Sequence, residues 1–445
     1  MTIPRLAWRA RHASIAASRW MANEASSALG RGARRPHPQA PTALLLAWFF
    51  PPVVSGGTYR PLSLVRYGAR LGWQFAVLGS SRPTSAAGEH LLQRVPANVK
   101  VARIDRNDGG FFFDVDHGFL TALDVVEGSR KLLGPIRPHV VLATGPPFAL
   151  FVAGDYLARR YRVPLVLDYR DEWTECPFEF VRKSKADRWW ETRTLSNARL
   201  VIFTTESQRD NCLSAFPALD PQKCLVLPNG WDPEDSPGEF SRRESRGPAL
   251  AFVGNLGDHT PPDDFLETLS NVLDHNQELA TRLRIGFVGQ KSASTRRRLE
   301  RFKHQHVLVS QDQVAKDEAT RVMRSAGALL VLNDPRLRRY IPGKIYEYLA
   351  ARRPLFVFGL GGEIERLVRR LNAGVVVPAG DAESLGRALS KLVELRPADL
   401  ANRDLDSWLA RHSRSQLAAE LFNVLSQLIS QEHADAALRS TPHSR

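Results

Sequence analysis

The sequence predicts an α/β protein of two domains, each built on a parallel β-sheet. Its 445 residues exceed the roughly 250 to 300 that one hydrophobic core usually organises. Hydrophobic residues at 43% and charged residues at 24% are typical of a folded globular chain. From residue 43 onward, short apolar runs alternate with stretches of helical period, and this alternation occurs twice.

In the first half, short runs rich in β-branched and aromatic residues predict strands. Their near-continuous hydrophobicity indicates parallel strands that are buried on both faces. The predicted strands are residues 43–49, 73–79, 99–104, 139–144, 164–168, 200–204 and 224–227. Residues 232–248 have no apolar period and are rich in Pro, Gly, Ser and charge, so they predict a linker after a first domain of residues 42–231.

The second half repeats the pattern over a predicted domain of residues 249–403. The predicted strands are residues 249–254, 283–289, 306–310, 328–333, 355–358 and 374–377. A final helix is predicted near residues 405–429, within a segment 404–431, and the polar residues 432–445 predict a frayed tail. Ligands of such sheets bind outside the carboxyl ends of the strands, so functional residues are expected there.

The first 41 residues predict a disordered basic tail. Residues 1–40 carry seven arginines and one acid, Glu24, in a chain of net charge +14. On this reading, deletion of residues 1–38 should leave folding intact. Contact with an anionic membrane surface and a targeting segment are the alternatives. Nucleic acid is disfavoured as a partner because no nucleic-acid module is recognisable and the arginines are scattered.

The lengths of the apolar runs and the number of cysteines indicate where in the cell the protein is expected. No apolar run reaches the roughly 18 to 20 residues that cross a bilayer. The cysteines Cys176, Cys212 and Cys224 are odd in number and lack metal-ligand spacing, so neither a disulfide framework nor a metal site is indicated. The expected location is the cytoplasm, with the inner face of the membrane as the alternative.

Two segments in the first half suggest chemistry at strand ends. Gly56 and Gly57 precede a predicted helix, where adjacent glycines let backbone N–H groups approach an anion; the alternative is a plain turn. Asp168, Arg170 and Asp171 follow another strand and are candidate catalytic residues, because they could bind sugar hydroxyls and place charge beside a reacting centre. The alternative is an Asp–Arg network that closes a loop.

The second half carries further candidate binding residues. Gly254 and Asn255 end a strand with small residues, although the dinucleotide fingerprint spacing is absent. Gly343 opens a short helix with Lys344 in its first turn, where a lysine gains nothing from the helix dipole unless an anion lies beyond the helix end. Glu347 lies three residues later on the same face; the alternative is a surface Lys–Glu pair.

Together these segments resemble the family four glycosyltransferases, which are retaining enzymes of the GT-B architecture. The resemblance spans about residues 42–428 and rests on RPHVVLATGPPFA, VPLVLDYRDEW, VLPNGWDPED, AFVGNLG, IPGKIYEYLAARRP and SWLARHSRSQLAAELFNVL. It implies two Rossmann-like domains that face each other across a cleft, with the C-terminal helix returning to the N-terminal domain.

The same resemblance implies a function. It implies transfer of a sugar, of the hexosyl type, from a nucleotide diphosphate donor to an acceptor in polysaccharide or glycoconjugate biosynthesis, with retention of configuration. It also implies that the Gly56–Gly57 loop faces the donor phosphates, that the C-terminal domain holds the nucleotide, and that no metal is needed.

This chain departs from the family pattern at two places. Of two glutamates eight positions apart in many relatives, Glu347 fills the second place and Arg339 stands at the first. After Gly254, where many relatives have Arg and Lys, the chain has Asn255, Asp258 and His259. We therefore expect Lys344 and backbone amides to supply the positive charge that meets the donor pyrophosphate.

Two other functions remain compatible with the sequence. One is a catalytically silent protein that binds sugar nucleotides, and the other is a sugar-nucleotide epimerase. Donor base, sugar and acceptor are not readable from the sequence. Residues 105–118 contain three adjacent phenylalanines that either contact an acceptor or pack a small core of their own.

Overall fold

The fold is described from a computed structural model of the chain. The structure describes residues 3–81, 85–107, 114–235, 247–257, 260–394, 400 and 402–440. Its residues form two compact units, one of Met1–Pro228 with Leu417–Arg445 and one of Asn229–Gln416.

The first unit is built on a seven-stranded parallel sheet in the order β3-β2-β1-β4-β5-β6-β7. All seven strands lie where the apolar runs predict them. They are β1 Thr42–Ala47, β2 Gln74–Ser80, β3 Lys100–Ile104, β4 Val140–Gly145, β5 Leu165–Tyr169, β6 Leu200–Phe203 and β7 Cys224–Val226. In β1, β4 and β5 every residue is buried, as expected for strands covered on both faces.

Helices cover both faces of this sheet. They are α1 Ile3–Ala28, α2 Tyr59–Arg70, α3 Ala86–Gln93, α4 Phe119–Leu133, α5 Ala149–Tyr161, α6 Lys185–Asn197 and α7 Glu206–Ala215. The C-terminal helix joins them, because Phe422 packs against Trp73 and Phe75 with ring centroids at 5.0 and 5.7 Å. Gly68 of α2 makes room for this ring, since a Cβ there would lie 2.6 Å from Phe422. The expected grouping of the C-terminal helix with the N-terminal domain is confirmed.

The predicted disorder of residues 1–41 is wrong for most of that segment, because α1 is an ordered helix. Its Glu24 accepts a hydrogen bond from Tyr156 of α5 at 2.9 Å and pairs with Arg193 of α6 at 2.7 Å. Arg19 pairs with Asp124 of α4 at 2.7 Å. The buried face of α1 uses small residues such as Ala16, Ser26 and Ser27, which carry no strong hydropathy signal.

The second unit is built on a six-stranded parallel sheet in the order β10-β9-β8-β11-β12-β13. Again each strand lies where it is predicted. The strands are β8 Leu250–Val253, β9 Ile285–Val288, β10 Leu308–Gln311, β11 Ala328–Leu332, β12 Leu355–Phe358 and β13 Gly374–Val377. The helices are α8 Asp263–His275, α9 Gln277–Arg282, α10 Ala293–Glu300, α11 Lys316–Ser325, α12 Gly343–Ala350, α13 Gly362–Arg370, α14 Ala382–Glu394 and α15 Arg403–Arg411.

The predicted single C-terminal helix is two helices. The break lies at His412 and Ser413, and α16 Arg414–Ser440 follows it. Ser413 caps α16, because its hydroxyl accepts a hydrogen bond from the N–H of Gln416 at 3.3 Å. Residues 432–440, predicted as a frayed tail, continue this helix.

Two further segments bear on the sequence predictions. Residues 236–246 of the predicted linker lie outside the described residues, whereas Pro233–Asp235 form one turn of 3₁₀ helix. Among the helices of the described residues, none is both long and apolar enough to cross a membrane.

Candidate active site

Both sheets reverse their strand order at one point, between β1 and β4 in the first unit and between β8 and β11 in the second. In open parallel sheets the loops that diverge at such a point leave a crevice at the carboxyl ends of the strands. The candidate residues lie at this edge in each unit.

In the first unit, Gly56 and Gly57 lie in the loop between β1 and α2. Over the part of the chain that the structure describes, neither N–H has a hydrogen-bond acceptor in the protein. Gly57 needs its missing side chain, because a Cβ there would lie 2.2 Å from the Arg170 guanidinium. The loop thus has open N–H groups, as an anion site requires. Glycine is needed at position 57, however, because the Arg170 side chain occupies the space of a Cβ.

The side chain of Arg170 links separate backbone segments through hydrogen bonds. Arg170 donates hydrogen bonds to the carbonyl oxygens of Gly57 at 3.0 Å and Gly145 at 3.2 Å, and to that of Pro146. Its guanidinium also lies 5.6 Å from the centroid of the Phe49 ring. The loops after β1, β4 and β5 are therefore fixed relative to one another by a single side chain.

Asp168 forms a buried ion pair. Its carboxylate accepts hydrogen bonds from Arg60 of α2, with Nη2 at 2.8 Å and Nε at 3.1 Å. Both side chains are almost completely buried, and Arg60 also donates to the carbonyl oxygen of Pro228 at 2.7 Å. Asp168 thus joins the end of β5 to the start of α2.

Asp171 is the candidate carboxylate that is not committed to the fold. Among the described residues it has no hydrogen bond and no ion pair within 4.0 Å. Burial raises the pKa of its carboxyl group, the charge of Arg170 opposes this rise, and Glu172 adds to it. Its side chain is partly exposed. The loop thus presents one free carboxylate on an edge that Asp168 and Arg170 shape.

The sequence analysis missed His117, which lies at the same edge. Its backbone is left-handed, with φ 70°, a conformation that few residues other than glycine adopt. Its ring meets Trp48, the residue after β1, edge to face at 5.7 Å, and its Nδ1 lies 3.8 Å from Asp116. The neighbouring phenylalanines 111–113, for which acceptor contact and a small core of their own are the two interpretations, lie outside the described residues.

In the second unit, Lys344 lies at the start of α12 beside the end of β8. Its Nζ is 3.9 Å from the centroid of the Phe252 ring, and a Cβ at Gly254 would lie 3.7 Å from its Cδ. It has no carboxylate partner and no hydrogen-bond acceptor in the chain as far as the structure describes it. Burial lowers the pKa of Lys344 to about 7. A cation with no anion therefore lies at the point where this sheet reverses its order.

Tyr348 fixes this helix to the sheet. Its hydroxyl accepts a hydrogen bond from the N–H of Val253 at 2.7 Å and donates one to the carbonyl oxygen of the same residue at 2.8 Å. Pairing of β8 with β11 stops at Ala251, so Val253 has no partner on the β11 side, although it pairs with β9 on the other. The Tyr348 hydroxyl takes the place of the β11 partner. The first turn of α12 also leaves the N–H groups of Gly343 and Lys344 without a backbone acceptor among the described residues.

Glu347 faces away from Lys344 and forms a different ion pair. Its carboxylate lies 2.5 Å from Lys316 of α11 and 3.9 Å from Arg414. The surface-pair alternative of Lys344 with Glu347 is therefore wrong, and the pair is Lys316 with Glu347. Asn255 is exposed in the loop after β8, and Arg339 lies between β11 and α12.

Two family models match successive parts of the chain. Residues 55–230 match the glycosyl transferase 4-like domain, and residues 247–395 match glycosyl transferases group 1. The matches together cover more than half of the chain. No curated protein matches it by sequence.

Solved structures match over nearly the whole chain. Alr3699/HepE of Anabaena, in complex with UDP, is 15% identical with a TM-score of 0.60 over 87% of this chain and 100% of its own. TarM of S. aureus, in complex with Fondaparinux, alpha-GlcNAc-glycerol and UDP, is 8% identical with a TM-score of 0.60 over 86% and 99%. A Listeria monocytogenes protein described as a UDP-N-acetylglucosamine 2-epimerase is 11% identical with a TM-score of 0.55 over 88% and 97%.

The two matched domains follow each other in the order that the two sheets have. The chain consists of two Rossmann-like units, each built on a parallel sheet, and the solved structures share this fold. The chain therefore belongs to the glycosyltransferases of the GT-B architecture, with a glycosyl transferase 4-like domain followed by a glycosyl transferases group 1 domain.

Proposed function

We propose that the enzyme transfers a hexosyl group from a uridine diphosphate sugar, with retention of configuration, to an acceptor in polysaccharide or glycoconjugate synthesis. The uridine base is suggested by the UDP and UDP-glucose that the HepE structures contain and by the UDP in the TarM complex. Retention and the biosynthetic class rest on the family resemblance of the sequence.

The observation that carries the proposal is the unpaired ammonium of Lys344. A cation in the first turn of a helix is disfavoured by the helix dipole, and burial adds a desolvation cost. Both costs are offset when a diphosphate lies at the helix end and accepts hydrogen bonds from Lys344 and from the open N–H groups of Gly343 and Lys344. Gly254 keeps the space beside Lys344 free of a side chain.

Charge explains how this site accelerates transfer. The bond between the anomeric carbon and the β-phosphate oxygen breaks, and its electron pair leaves with the diphosphate. The acceptor oxygen bonds to the anomeric carbon, and its proton moves to the diphosphate oxygen. Negative charge grows on the leaving group, so donors fixed there stabilise the transition state more than the ground state. No metal takes part in the mechanism proposed here.

In the first unit we assign contact with substrate to Asp171 and positioning to Asp168 and Arg170. Asp168 accepts its hydrogen bonds from Arg60, and Arg170 donates its hydrogen bonds to three carbonyl groups. Asp171 keeps its carboxylate for a sugar hydroxyl or for the positive charge that develops on the ring. The open N–H groups of Gly56 and Gly57 are assigned to an anionic group of the donor.

Calorimetry with UDP and with uridine tests the donor site. Lys344→Ala should weaken UDP binding by about 1 to 3 kcal/mol and leave uridine binding unchanged, because uridine lacks the charge that the ammonium meets. Lys303→Ala is the matched control, since it removes a lysine of the same unit that pairs with Asp274 instead. Equal UDP binding by the parent and Lys344→Ala proteins would refute this donor site.

The two rival functions are separated by product analysis. A glycosyltransferase slowly hydrolyses UDP-glucose to glucose and UDP in the absence of acceptor. A silent binding protein leaves the donor intact, and an epimerase converts it to another sugar nucleotide without releasing UDP. Proton NMR of the released or transferred sugar reports whether configuration is retained.

We further propose that the carboxylate of Glu347 accepts hydrogen bonds from both ribose hydroxyls of the donor. Lys316 competes for the same carboxylate at 2.5 Å. If Glu347 binds ribose, Glu347→Gln should weaken both UDP and uridine. If it only pairs with Lys316, neither affinity should change.

A further inference from the structure

Seven arginines cluster on the first unit, away from the residues assigned to glycosyl transfer; one of them is buried and the other six are exposed or half-exposed. We define this cluster as the basic face: Arg31, Arg34, Arg35, Arg130, Arg137, Arg160 and Arg162. These residues come from three separate stretches of chain: the turn after α1, the end of α4 with the loop that follows it, and the end of α5.

Direct contacts show that the stretches lie together. Arg137 donates hydrogen bonds to the carbonyl oxygens of Ala33 at 3.3 Å and Arg162 at 2.6 Å. Arg35 donates to the carbonyl oxygen of Gly134 and lies 3.4 Å from the hydroxyl of Tyr161. The Arg162 guanidinium covers Gly30, where a Cβ would lie 2.5 Å from its Nε.

No carboxylate neutralises this surface. Within the described ranges, none of the seven guanidinium groups has a carboxylate oxygen within 4.0 Å, and their hydrogen bonds go to carbonyl oxygens and hydroxyls. Glu127 at the border is bonded to Lys131 at 2.8 Å. Burial lowers the pKa of Arg160, and the charges of Arg130 and Arg35 lower it further, so these like charges repel one another.

A structural explanation covers only part of the cluster. Cations at the carboxyl ends of α4 and α5 favour the helix dipoles, which accounts for Arg130 and Arg160. It does not account for Arg31, Arg34 and Arg35, which follow α1 in a turn. Like charges gathered without a counter-ion cost stability, so an external anion is the ligand that this arrangement fits.

The border of the basic face is apolar. Leu29, next to Gly30 and Arg31, is 63% exposed, and Met21, eight residues earlier in α1, is 65% exposed. Phosphates of a nucleic acid would match the arginines but not these side chains. A bilayer surface offers anionic headgroups and an acyl boundary side by side.

The basic face lies at a position where a surface as large as a bilayer can contact it. Arg35, Arg137 and Arg162 precede β1, β4 and β5, so they lie at the amino edge of the sheet. The candidate site of this unit lies at the carboxyl edge, after the same strands. A large surface can therefore cover the basic face without covering Asp171.

From this geometry we propose that the basic face, with Leu29 at its border, docks the first unit on an anionic lipid bilayer. The docking is peripheral and electrostatic, and it weakens with salt. The proposal is independent of the sugar that the enzyme transfers.

Flotation of the full chain with vesicles tests this proposal. The parent protein should bind vesicles of phosphatidylcholine with phosphatidylglycerol, and not vesicles of phosphatidylcholine alone. The triple variant Arg31→Gln, Arg34→Gln, Arg130→Gln removes three exposed side chains that bond to nothing else in the described chain. Since each basic side chain near such a membrane contributes roughly fivefold, the triple variant should bind on the order of 100-fold more weakly.

A matched triple variant controls for net charge. Arg301→Gln, Lys391→Gln, Arg403→Gln removes three exposed charges of the second unit and should bind like the parent. Leu29→Ser should weaken binding to the anionic vesicles without altering binding to a DNA duplex. Thermal unfolding confirms that all variants fold.

Three results would overturn the proposal. They are no binding of the parent to phosphatidylglycerol vesicles, equal loss in both triple variants, and binding to the DNA duplex without binding to vesicles.

Discussion

Arg60 in α2 and Lys344 in α12 are both cations in the first turn of a helix, and their surroundings differ. Arg60 in α2 meets the buried carboxylate of Asp168, which lies 108 residues later in the chain. Lys344 in α12 meets no protein anion among the described residues. The dipole argument that singled out Lys344 in the sequence applies equally to Arg60, but the sequence could not indicate that one partner is internal. This contrast strengthens the assignment of Lys344 to a ligand.

The pKa of Lys344 makes donor binding depend on pH. Because burial lowers this pKa to about 7, the amine is largely neutral above that pH in the free protein. A diphosphate binds the ammonium form, so complex formation above pH 7 takes up a proton. We expect the affinity for UDP to fall by up to about tenfold per pH unit between roughly pH 7 and 8.5.

Calorimetry in buffers of different ionisation enthalpy measures this proton uptake. The Lys344→Ala protein should show neither the pH slope nor the buffer dependence. A flat affinity profile for the parent over that range would contradict an amine that titrates near neutrality.

The carboxylates of Asp168 and Asp171 should respond differently to the same substitution. Asp171→Asn removes a carboxylate that forms no hydrogen bond or ion pair in the described protein and acts only through the nearby charge of Arg170. It should therefore lower turnover by about tenfold or more, or roughly 1.4 kcal/mol of barrier, with little change in stability. Asp168→Asn leaves the Arg60 guanidinium buried without its counter-ion, which should destabilise the protein by about 3 to 5 kcal/mol.

Urea unfolding and initial rates on the two variants separate these effects. Asp168→Asn acts as the control that shows what loss of a structural carboxylate looks like. If Asp171→Asn turns over its donor like the parent, the substrate contact assigned to this residue is wrong.

At the scale of one element, α12 can present Lys344 to the donor only if its first turn stays aligned with the end of β8. The Tyr348 hydroxyl provides that alignment by bonding both backbone groups of Val253. Tyr348→Phe leaves a buried N–H and a buried carbonyl unsatisfied, at a cost of about 1 to 3 kcal/mol. We expect faster hydrogen exchange at the amide of Val253 and weaker binding of UDP.

Exchange at the amides of β13 in the same unit is the internal control for this variant, and it should not change. Unaltered protection of Val253 would mean that another group holds the helix to the sheet.

The junction of α15 and α16 shows why the final helix was predicted as one. Apolar residues at helical spacing, such as Trp408, Leu409 and Leu417, continue across it, and the period alone gives no reason to stop. The local signal was present: Ser413 followed three residues later by Gln416 is a capping-box pattern. Capping chemistry decides the boundary where hydropathy is continuous.

At the scale of the molecule, the strands were predictable because burial on both faces forces nearly every strand residue to be apolar. In Leu250–Val253 and Leu355–Phe358, for example, no polar residue interrupts the run. The alternation of strands and helices predicts parallel strands, but it does not determine the point at which the order of the strands reverses in each sheet.

Partnership between distant side chains was not predictable. Glu347 could be placed on a helix face from its spacing to Lys344, but Lys316 reaches it from a separate helix. Arg170 was identified as a candidate catalytic residue, and only the fold brings the carbonyl groups of Gly57 and Gly145 to its guanidinium. Such contacts join segments that the sequence separates by 25 or more residues.

The N-terminal segment gives the last prediction, because an ordered α1 reverses the expected effect of truncation. Deleting residues 1–38 removes Glu24, whose carboxylate pairs with Arg193 and accepts a hydrogen bond from Tyr156, and it uncovers the face of α5 that α1 covers. We expect the first unit to lose more than about 2 kcal/mol of stability.

Deletion of residues 1–13 is the matched control, since it keeps Arg19, Glu24 and Ser27, and it should leave stability close to that of the parent. Hydrogen exchange in peptides of α5 reports on the first unit, and peptides of β11 and β12 serve as the reference in the second. If both truncated proteins protect α5 like the parent, α1 is an appendage and its ion pairs contribute nothing to the fold. If only the longer deletion exposes α5, the basic segment that composition marks as a tail is part of the first unit.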